Sequence, residues 1–394
     1  MSSRPQLIIY SSHPIQYQVP WFRALQDSGE PDLLVVFSHL PSPQEQGSGF
    51  GVAFKWDVNL LDGYRWQVAR TRSVLKAKSG FFGRVLADPT FELLEHRADV
   101  VLLTGWQEFP LVQWLNAALR RRVPIIMRGE SNLLRPRRLI SSYWHRYILK
   151  KCDAFLSIGS ANQAFYEHYG ITGRQTFLAP YFVDNDYFSA AAGRAHPQRQ
   201  QKRDEWGIPA DAVCFCFVGK LESKKRVLVL LAALAMACGR STRRLHLLVV
   251  GSGEQLGDAR QMVDTSNLPV TFAGFMNQGE IPQAYNASDC LVLPSDAGET
   301  WGLVVNEAMA CSRPAIVSDH VGCQRDLVED GVTGYVFPLD DVDSLAGALC
   351  KAADSDLLAM GQVAYHRVTS TCSIDRATAA TLDAMNSLLN QTAR

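Results

Sequence analysis

This chain has no apolar run long enough to cross a bilayer. Its longest, Val227 to Cys238, has 12 residues, and a spanning helix needs ~20. The run follows Lys224, Lys225 and Arg226 and is expected to be a buried helix. The first apolar run, Leu7 to Tyr10, is far too short for a secretory signal. Cysteines at metal-binding or redox spacing are missing as well. The nine are Cys152, Cys214, Cys216, Cys238, Cys290, Cys311, Cys323, Cys350 and Cys372, an odd number with no CxxC pair. Zinc binding is therefore not expected, and buried free thiols in a reducing compartment are. Cys214 and Cys216 alternate in one apolar run, which puts both on one face of a strand. No internal repeat or low-complexity tract occurs. Nor is there net charge, because 39 basic and 39 acidic residues cancel, and no nucleic-acid partner is expected. What remains is 47% hydrophobic and 20% charged over 394 residues, the make-up of a globular protein with room for two cored domains. The expectation is a cytoplasmic protein, able to touch the inner face of a membrane but not to cross it.

The zero net charge hides a split. Residues 1–183 hold 21 Lys and Arg against 14 Asp and Glu, while residues 184–394 hold 18 against 25. Such asymmetry points to different partners for the two halves. The basic excess gathers in Arg120, Arg121, Arg122, Arg128, Arg135, Arg137, Arg138, Arg146, Lys150 and Lys151. Two readings fit it: a solvated surface, or a face for an anionic acceptor or anionic lipid. The stretch Lys76–Arg84, with Phe81 and Phe82, is read as an ordinary helix and turn at a domain edge in preference to a membrane contact.

Strand-like runs alternate with helical spacing along both halves. In the first, Leu7–Tyr10, Leu33–Phe37, Val100–Leu103, Val123–Met127 and Ala154–Ile158 read as strands, and Val19–Gln26, Phe109–Arg122 and Ser141–Lys151 as helices. In the second, the strands are Val213–Val218, Leu245–Val250, Val270–Phe272, Cys290–Leu293, Ala315–Val317 and Tyr335–Phe337. Helices are expected over Val227–Cys238, Ile281–Asn286, Leu303–Cys311 and Val342–Ala352. This alternation implies parallel sheets covered by helices. The fold class is α/β: two Rossmann-like, doubly wound domains facing across a cleft, with ligands at the strand C-termini. The boundaries expected are a first domain over 1–183, a linker over 184–210, a second domain over 211–363, and a helical segment over 364–394 that packs back on the first domain. Within the linker, Ala190–Gly193 reads as small and loose.

The richest segment runs from Ser295 to Glu307. It follows the strand Cys290–Leu293 and the breaker Pro294, then enters a helix near Gly302. Backbone N–H groups at Gly302, Leu303 and Val304 would be free there, and a glycine at a helix N-terminus suits a phosphate. Glu299 precedes the helix and Glu307 lies about a turn and a half inside it, so they can reach opposite ends of one extended ligand. Two surface charges at a helix start would look the same. A second segment argues against that: Gly219 ends the strand Val213–Val218, and Lys220 and Lys225 bracket the loop after it. Two cations beside a helix N-terminus oppose its dipole unless an anion such as a diphosphate is bound.

Together the two segments resemble the retaining glycosyltransferases of family 4, which have the GT-B fold. Glu299 and Glu307 match that family's E-x7-E motif, and Gly219, Lys220, Leu221 and Lys225 its G-R-L-x4-K-type segment. The likeness extends over about residues 213–340, through Leu248 to Gly253, Phe272 to Phe275, Ala287 to Asp289 and Glu329 to Tyr335. Lys220 stands where arginine is usual, losing the bidentate fork, and Arg226 where glycine is common. Cys323 and Asp326 replace the family's Gly-Gly then Glu near Val321-Gly322. The resemblance implies that Lys220 and Lys225 bind the donor diphosphate, that Glu307 holds the ribose and Glu299 the transferred sugar, and that Gly274 and Phe275 lie near the base. Gly251 and Ser295 complete the implied donor site. The loop Ser11 to Tyr17 resembles a family subset with His-Pro-Ile-Gln-Tyr near the N-terminus.

That loop and Arg128-Gly129-Glu130-Ser131 end two strands of the first half. Gln16, Tyr17 and Arg128 are candidates for acceptor contact, and His13 or Glu130 for proton handling. Members often carry a catalytic histidine near the latter point, and this chain does not. The expected activity is transfer of a sugar, with retention, from a nucleotide-diphosphate sugar of UDP or GDP type to a hydroxyl on a glycan, a lipid-linked or a small-molecule acceptor, in polysaccharide or glycoconjugate biosynthesis. No D-x-D metal site is evident and no cofactor beyond that co-substrate is expected. A nucleotide-sugar epimerase, a sugar phosphorylase and a non-catalytic nucleotide-sugar scaffold are the alternatives, and the oligomeric state stays open.

Overall fold

The computed structural model of the chain describes residues 4–72 and 80–392. Lys76–Ser79 of the aromatic and basic stretch lie outside the described residues. The chain divides into two compact units. Unit 1 holds Met1–Pro41, Asn59–Tyr181 and Ile374–Arg394; unit 2 holds Ser42–Val58 and Phe182–Ser373.

Unit 1 is built on seven strands: β1 (Gln6–Ser11), β2 (Asp32–Phe37), β3 (Trp66–Val68), β4 (Val100–Leu103), β5 (Ile125–Met127), β6 (Ala154–Ser157) and β7 (Thr176–Leu178). Their spatial order is 3-2-1-4-5-6-7, with every ladder parallel. Strands β4 and β5 are apolar throughout, and β1 is apolar from Leu7 to Tyr10, because helices cover both faces. Edge strands β3 and β7 were not expected from the sequence. Each is three residues long and half-exposed, so neither shows an apolar run.

Unit 2 is built on β8 (Val213–Val218), β9 (Leu245–Val250), β10 (Val270–Gly274), β11 (Cys290–Leu293), β12 (Ala315–Ser318) and β13 (Gly334–Phe337). Their order is 10-9-8-11-12-13, again all parallel. This is the doubly wound order, which reverses direction between β8 and β11. All six residues of β8 are buried, and burial pushes the Cys214 and Cys216 thiols up. The apolar run after Lys225 is the helix Val227–Arg240, buried through Leu230, Leu231, Leu234 and Ala237.

Residues 185–205 are helical rather than loose. The Asp184 carboxylate accepts the Tyr187 N–H at 2.9 Å and starts the helix Asn185–Ala195, which contains Ala190–Gly193. Alanine is the strongest helix former, and one glycine does not outweigh three of them. In the next helix, Arg199–Glu205, the charged residues are anchored. Arg203 is buried and donates to the Ala287, Pro209 and Ala212 carbonyls at 3.0, 2.8 and 2.6 Å, and Arg199 pairs with Asp289 at 2.6 Å. The C-terminal region forms two helices, Leu357–Thr371 in unit 2 and Ile374–Thr392 in unit 1. The latter buries Ala377, Thr381, Ala384 and Leu388, one helical face, against the helix Val19–Ser28 and strands β6 and β7. No helix among the described residues is long and apolar enough to cross a membrane.

Candidate functional site

In unit 2 the residues singled out from the sequence gather where the strand order reverses. Gly219 and Lys220 follow β8, and Ser295 follows β11. The three loop ends here are laced together by backbone bonds. Gly219 N–H donates to Val250 at 3.0 Å, Gly251 N–H to Gly274 at 2.7 Å, and Leu221 N–H to Ser252 at 2.9 Å. Gly251 is required: its φ is +132°, and a Cβ on it would overlap the Gly219 carbonyl oxygen.

Lys225 is buried and forms an ion pair with the Glu299 carboxylate, whose side chain is 16% exposed. The two were assigned to different parts of a ligand, and the structure brings them together. Glu307, in the helix Leu303–Ala310, is buried and accepts the Tyr285 hydroxyl at 2.7 Å. Burial pushes its carboxyl up to about 7, against the lowering effects of the Tyr285 hydroxyl and the Lys225 charge. The helix begins at Gly302 with φ +101° and no side-chain cap, so its first N–H groups, on Leu303 and Val304, have no intrahelical acceptor. A side chain at Gly302 would crowd Leu293 and Val321. Ser295 is fully buried, and its hydroxyl has no hydrogen-bond partner among the described residues.

The segment Val321–Cys323, where the family pattern fails, clamps the Glu299 loop. Gly322 N–H donates to the Glu299 carbonyl at 3.2 Å and Cys323 N–H to Trp301 at 2.9 Å. Cys323 is fully buried, its thiol pushed up by burial. Arg226 takes a left-handed conformation at φ +54°, which accounts for glycine being common there. Its guanidinium bonds Asp340 at 2.8 Å and lies 3.5 Å from Asp296.

The segment 42–58 also belongs to unit 2, whereas the sequence reading placed it in the first domain over 1–183 and gave its residues no role of their own. Lys220 donates to the Ser48 carbonyl at 2.7 Å and lies 5.0 Å from the Phe50 ring centroid. Burial lowers the pKa of its ammonium. Phe50 and Phe54 pack on Phe275 at 5.0 and 4.4 Å, and Asp57 accepts the Gly279 N–H at 2.9 Å. Phe275 is thus covered by a strap from elsewhere in the chain. The aromatic spacing in Phe50, Phe54 and Trp56 was the available signal.

In unit 1, His13 follows β1. Its Nδ1 lies 2.9 Å from the Ser12 hydroxyl and its ring 5.5 Å from that of His39, a neighbour the sequence did not suggest. A cavity of about 450 Å³ borders His39, Ser38, Arg72 and Arg84. Tyr17, Arg128 and Glu130 gather instead around Tyr181. Its ring lies 5.5 Å from Tyr17 and 4.9 Å from the Arg128 guanidinium, and its hydroxyl donates to Glu130 at 2.5 Å. Arg128 is buried, with Trp21 5.2 Å away on its other contact. Gln16 sits half-buried in the turn between. No cluster of three metal-ligating side chains occurs among the described residues.

Residues 198–366 match the family model described as "Glycosyl transferases group 1". A D-inositol 3-phosphate glycosyltransferase of Saccharomonospora viridis is 34% identical over 165 residues, covering 39% of this chain and 38% of that protein. A phosphatidyl-myo-inositol mannosyltransferase of Mycolicibacterium smegmatis is 31% identical over 159 residues, 40% of each chain. The chain therefore spans about two fifths of the length of these relatives. Among solved structures, a glycosyltransferase from Rickettsia africae superposes with a TM-score of 0.74 at 14% identity, over 98% of this chain and 99% of that one. Anabaena HepE in complex with UDP and glucose does so at 0.69 and 15% identity, over 98% and 100%. The fold is the one these glycosyltransferase structures share, the two-domain α/β class known as GT-B.

Proposed function

We propose that the chain is a retaining glycosyltransferase that moves a hexosyl or related sugar from a nucleotide-diphosphate sugar to an acceptor hydroxyl. The observation that carries this reading is the buried Lys225–Glu299 pair beside buried Glu307, at the point where unit 2's strand order reverses. The match over 198–366 spans these same residues. Lys220, Lys225 and the uncapped helix start at Gly302 bind the diphosphate. Its charge grows as the bond from the anomeric carbon to phosphate oxygen breaks, and fixed cations stabilise it there. The acceptor oxygen attacks from the face the diphosphate leaves, and its hydroxyl proton passes to the departing phosphate, directly or by way of His13 or Glu130. Glu299 holds the sugar, Glu307 the ribose hydroxyls, and Gly251, Ser295, Gly274 and Phe275 complete the donor site. Gln16, Tyr17 and Arg128 contact the acceptor, with His13 or Glu130 taking part in proton handling. The two ammonium groups fill the role a metal ion has elsewhere, and no cofactor is needed. UDP and GDP sugars are the donors to test, UDP first, since HepE is described with UDP.

Incubation with a panel of nucleotide sugars tests this. Acceptor-dependent release of free nucleotide is expected. Binding without turnover under every acceptor offered would make the protein a scaffold. A second test uses Glu307. As a carboxylate it accepts ribose hydroxyls best, and burial delays its ionisation to about 7. Nucleotide affinity is therefore expected to rise with pH through about 7. Stability has the opposite sign: the carboxyl holds its proton more tightly folded than unfolded, so its contribution is full below the ordinary carboxylate range and is lost as pH rises through about 7. In Glu307→Gln both slopes should flatten, read by calorimetric titration and by thermal melts across pH. A wild-type slope in the variant would remove Glu307 from the site.

A further inference from the structure

The helix Leu139–Leu149 of unit 1 divides by face. His145, Ile148 and Leu149 are buried in that unit. On the other side stand Leu139, Ile140, Tyr143 and Tyr147, with exposures of 79%, 83%, 74% and 51%. At 3.6 residues per turn these four fall within about a third of the circumference. Exposed Arg146 and Lys150 border the same arc, and exposed Arg138 precedes it. Single exposed apolar residues are ordinary on any surface, but four aligned on one helix are not. The arc continues through aromatic contacts. Trp144 stacks on Tyr147 at 5.9 Å, Phe81 lies 6.4 Å from Trp144, and Phe82, 68% exposed, lies 4.8 Å from Phe81.

The chain leading into and out of this helix carries charge of one sign: residues 131–152 hold Arg135, Arg137, Arg138, Arg146, Lys150 and Lys151 and no acidic residue. The helix itself has no acidic residue, and the Lys151 ammonium lies over the Tyr147 ring at 4.6 Å. Leu and Ile favour the acyl boundary, Tyr and Trp settle at headgroup depth, and cations reach anionic headgroups. The helix has 11 residues, too short to span, so it would lie in the interface.

We infer that the exposed face of Leu139–Leu149 is a docking surface for an anionic lipid bilayer. The inference does not depend on the donor reading.

The test is co-sedimentation of the full chain with vesicles. The protein is expected to bind mixed phosphatidylcholine–phosphatidylglycerol vesicles, to bind pure phosphatidylcholine far less, and to lose affinity as salt rises. Leu139→Ser with Ile140→Ser should weaken binding about tenfold or more, and Arg138→Glu with Arg146→Glu and Lys150→Glu about a hundredfold. All five side chains are exposed, so both variants should keep the wild-type melting temperature and the wild-type melting shift with UDP. Equal binding to the two vesicle types, or wild-type binding by either variant, overturns the inference. So does a dimer in light scattering that the serine variant dissolves while vesicles are ignored, which would make the face a contact between copies. Vesicle binding without a melting shift from either UDP or GDP would sink the donor reading and leave this one standing.

Discussion

Lys225→Ala is expected to lower kcat/KM about a thousandfold, the loss typical of removing one preorganised donor to a developing anion. Glu299→Ala should do as much, because it removes the group proposed to hold the sugar. The structure adds a second consequence. The two side chains are 11% and 16% exposed and paired with each other. Taking away either leaves the other as a largely buried, unpaired charge, at a cost of about 3–5 kcal/mol. Lost activity in a single variant could then reflect lost fold. The double variant Lys225→Met, Glu299→Gln separates the two, since it removes both charges while keeping the volume. It should recover most of the stability and none of the turnover. Thermal melts and steady-state nucleotide release on all three proteins read this out. Wild-type turnover in either single variant refutes the site, and additive stability losses refute the coupling.

Gly251→Ala should destabilise unit 2 by about 3–4 kcal/mol, a fall in melting temperature of about 10 °C, and abolish nucleotide binding. A Cβ there would overlap the Gly219 carbonyl, and φ at +132° is disfavoured for alanine in any case. Relief requires the β8 and β9 loops to separate. That breaks the bonds from Gly219 to Val250 and from Leu221 to Ser252 that set the backbone on either side of Lys220. Gly257→Ala is the control. Gly257 lies in the helix Leu256–Ser266 with open space around it, and alanine there should be neutral or stabilising. Equal melts for the two variants would show that the close approach of the loops is not needed.

The fold was legible where burial on both faces forces an unbroken apolar run. Val213–Val218, Leu245–Val250 and Cys290–Leu293 were bounded to the residue. It was illegible where a strand is short and half-wet, as at Trp66–Val68 and Thr176–Leu178. It was also illegible where tertiary partners overrule composition. The polar run around Arg199 and Arg203 looked like a linker, yet its guanidinium groups are anchored on Asp289 and on buried carbonyls. At the site, residue types and spacing marked Glu299, Glu307, Lys220 and Lys225. Their pairing was hidden, because Lys225 and Glu299 stand 74 positions apart. Arg226 was noted as a departure from glycine, and its left-handed backbone gives the reason. Tyr181 and His39 had no local signal at all, since each matters only through what the fold sets beside it.

The strap over 42–58 changes what donor binding means. An ammonium already donating to the Ser48 carbonyl, with Phe50 beside it, is not a vacant anion site. The ammonium keeps two further N–H donors, so on the proposed reading the strap is a resident ligand with which a diphosphate shares Lys220 or which it displaces. To the extent that the strap must let go, the measured dissociation constant is the intrinsic one divided by the fraction of molecules in which it has. The charge on Lys220 sets how tightly a nucleotide can be held. The packing of Phe50 and Phe54 on Phe275 sets how often it is admitted, so affinity here is shared between chemistry and occupancy.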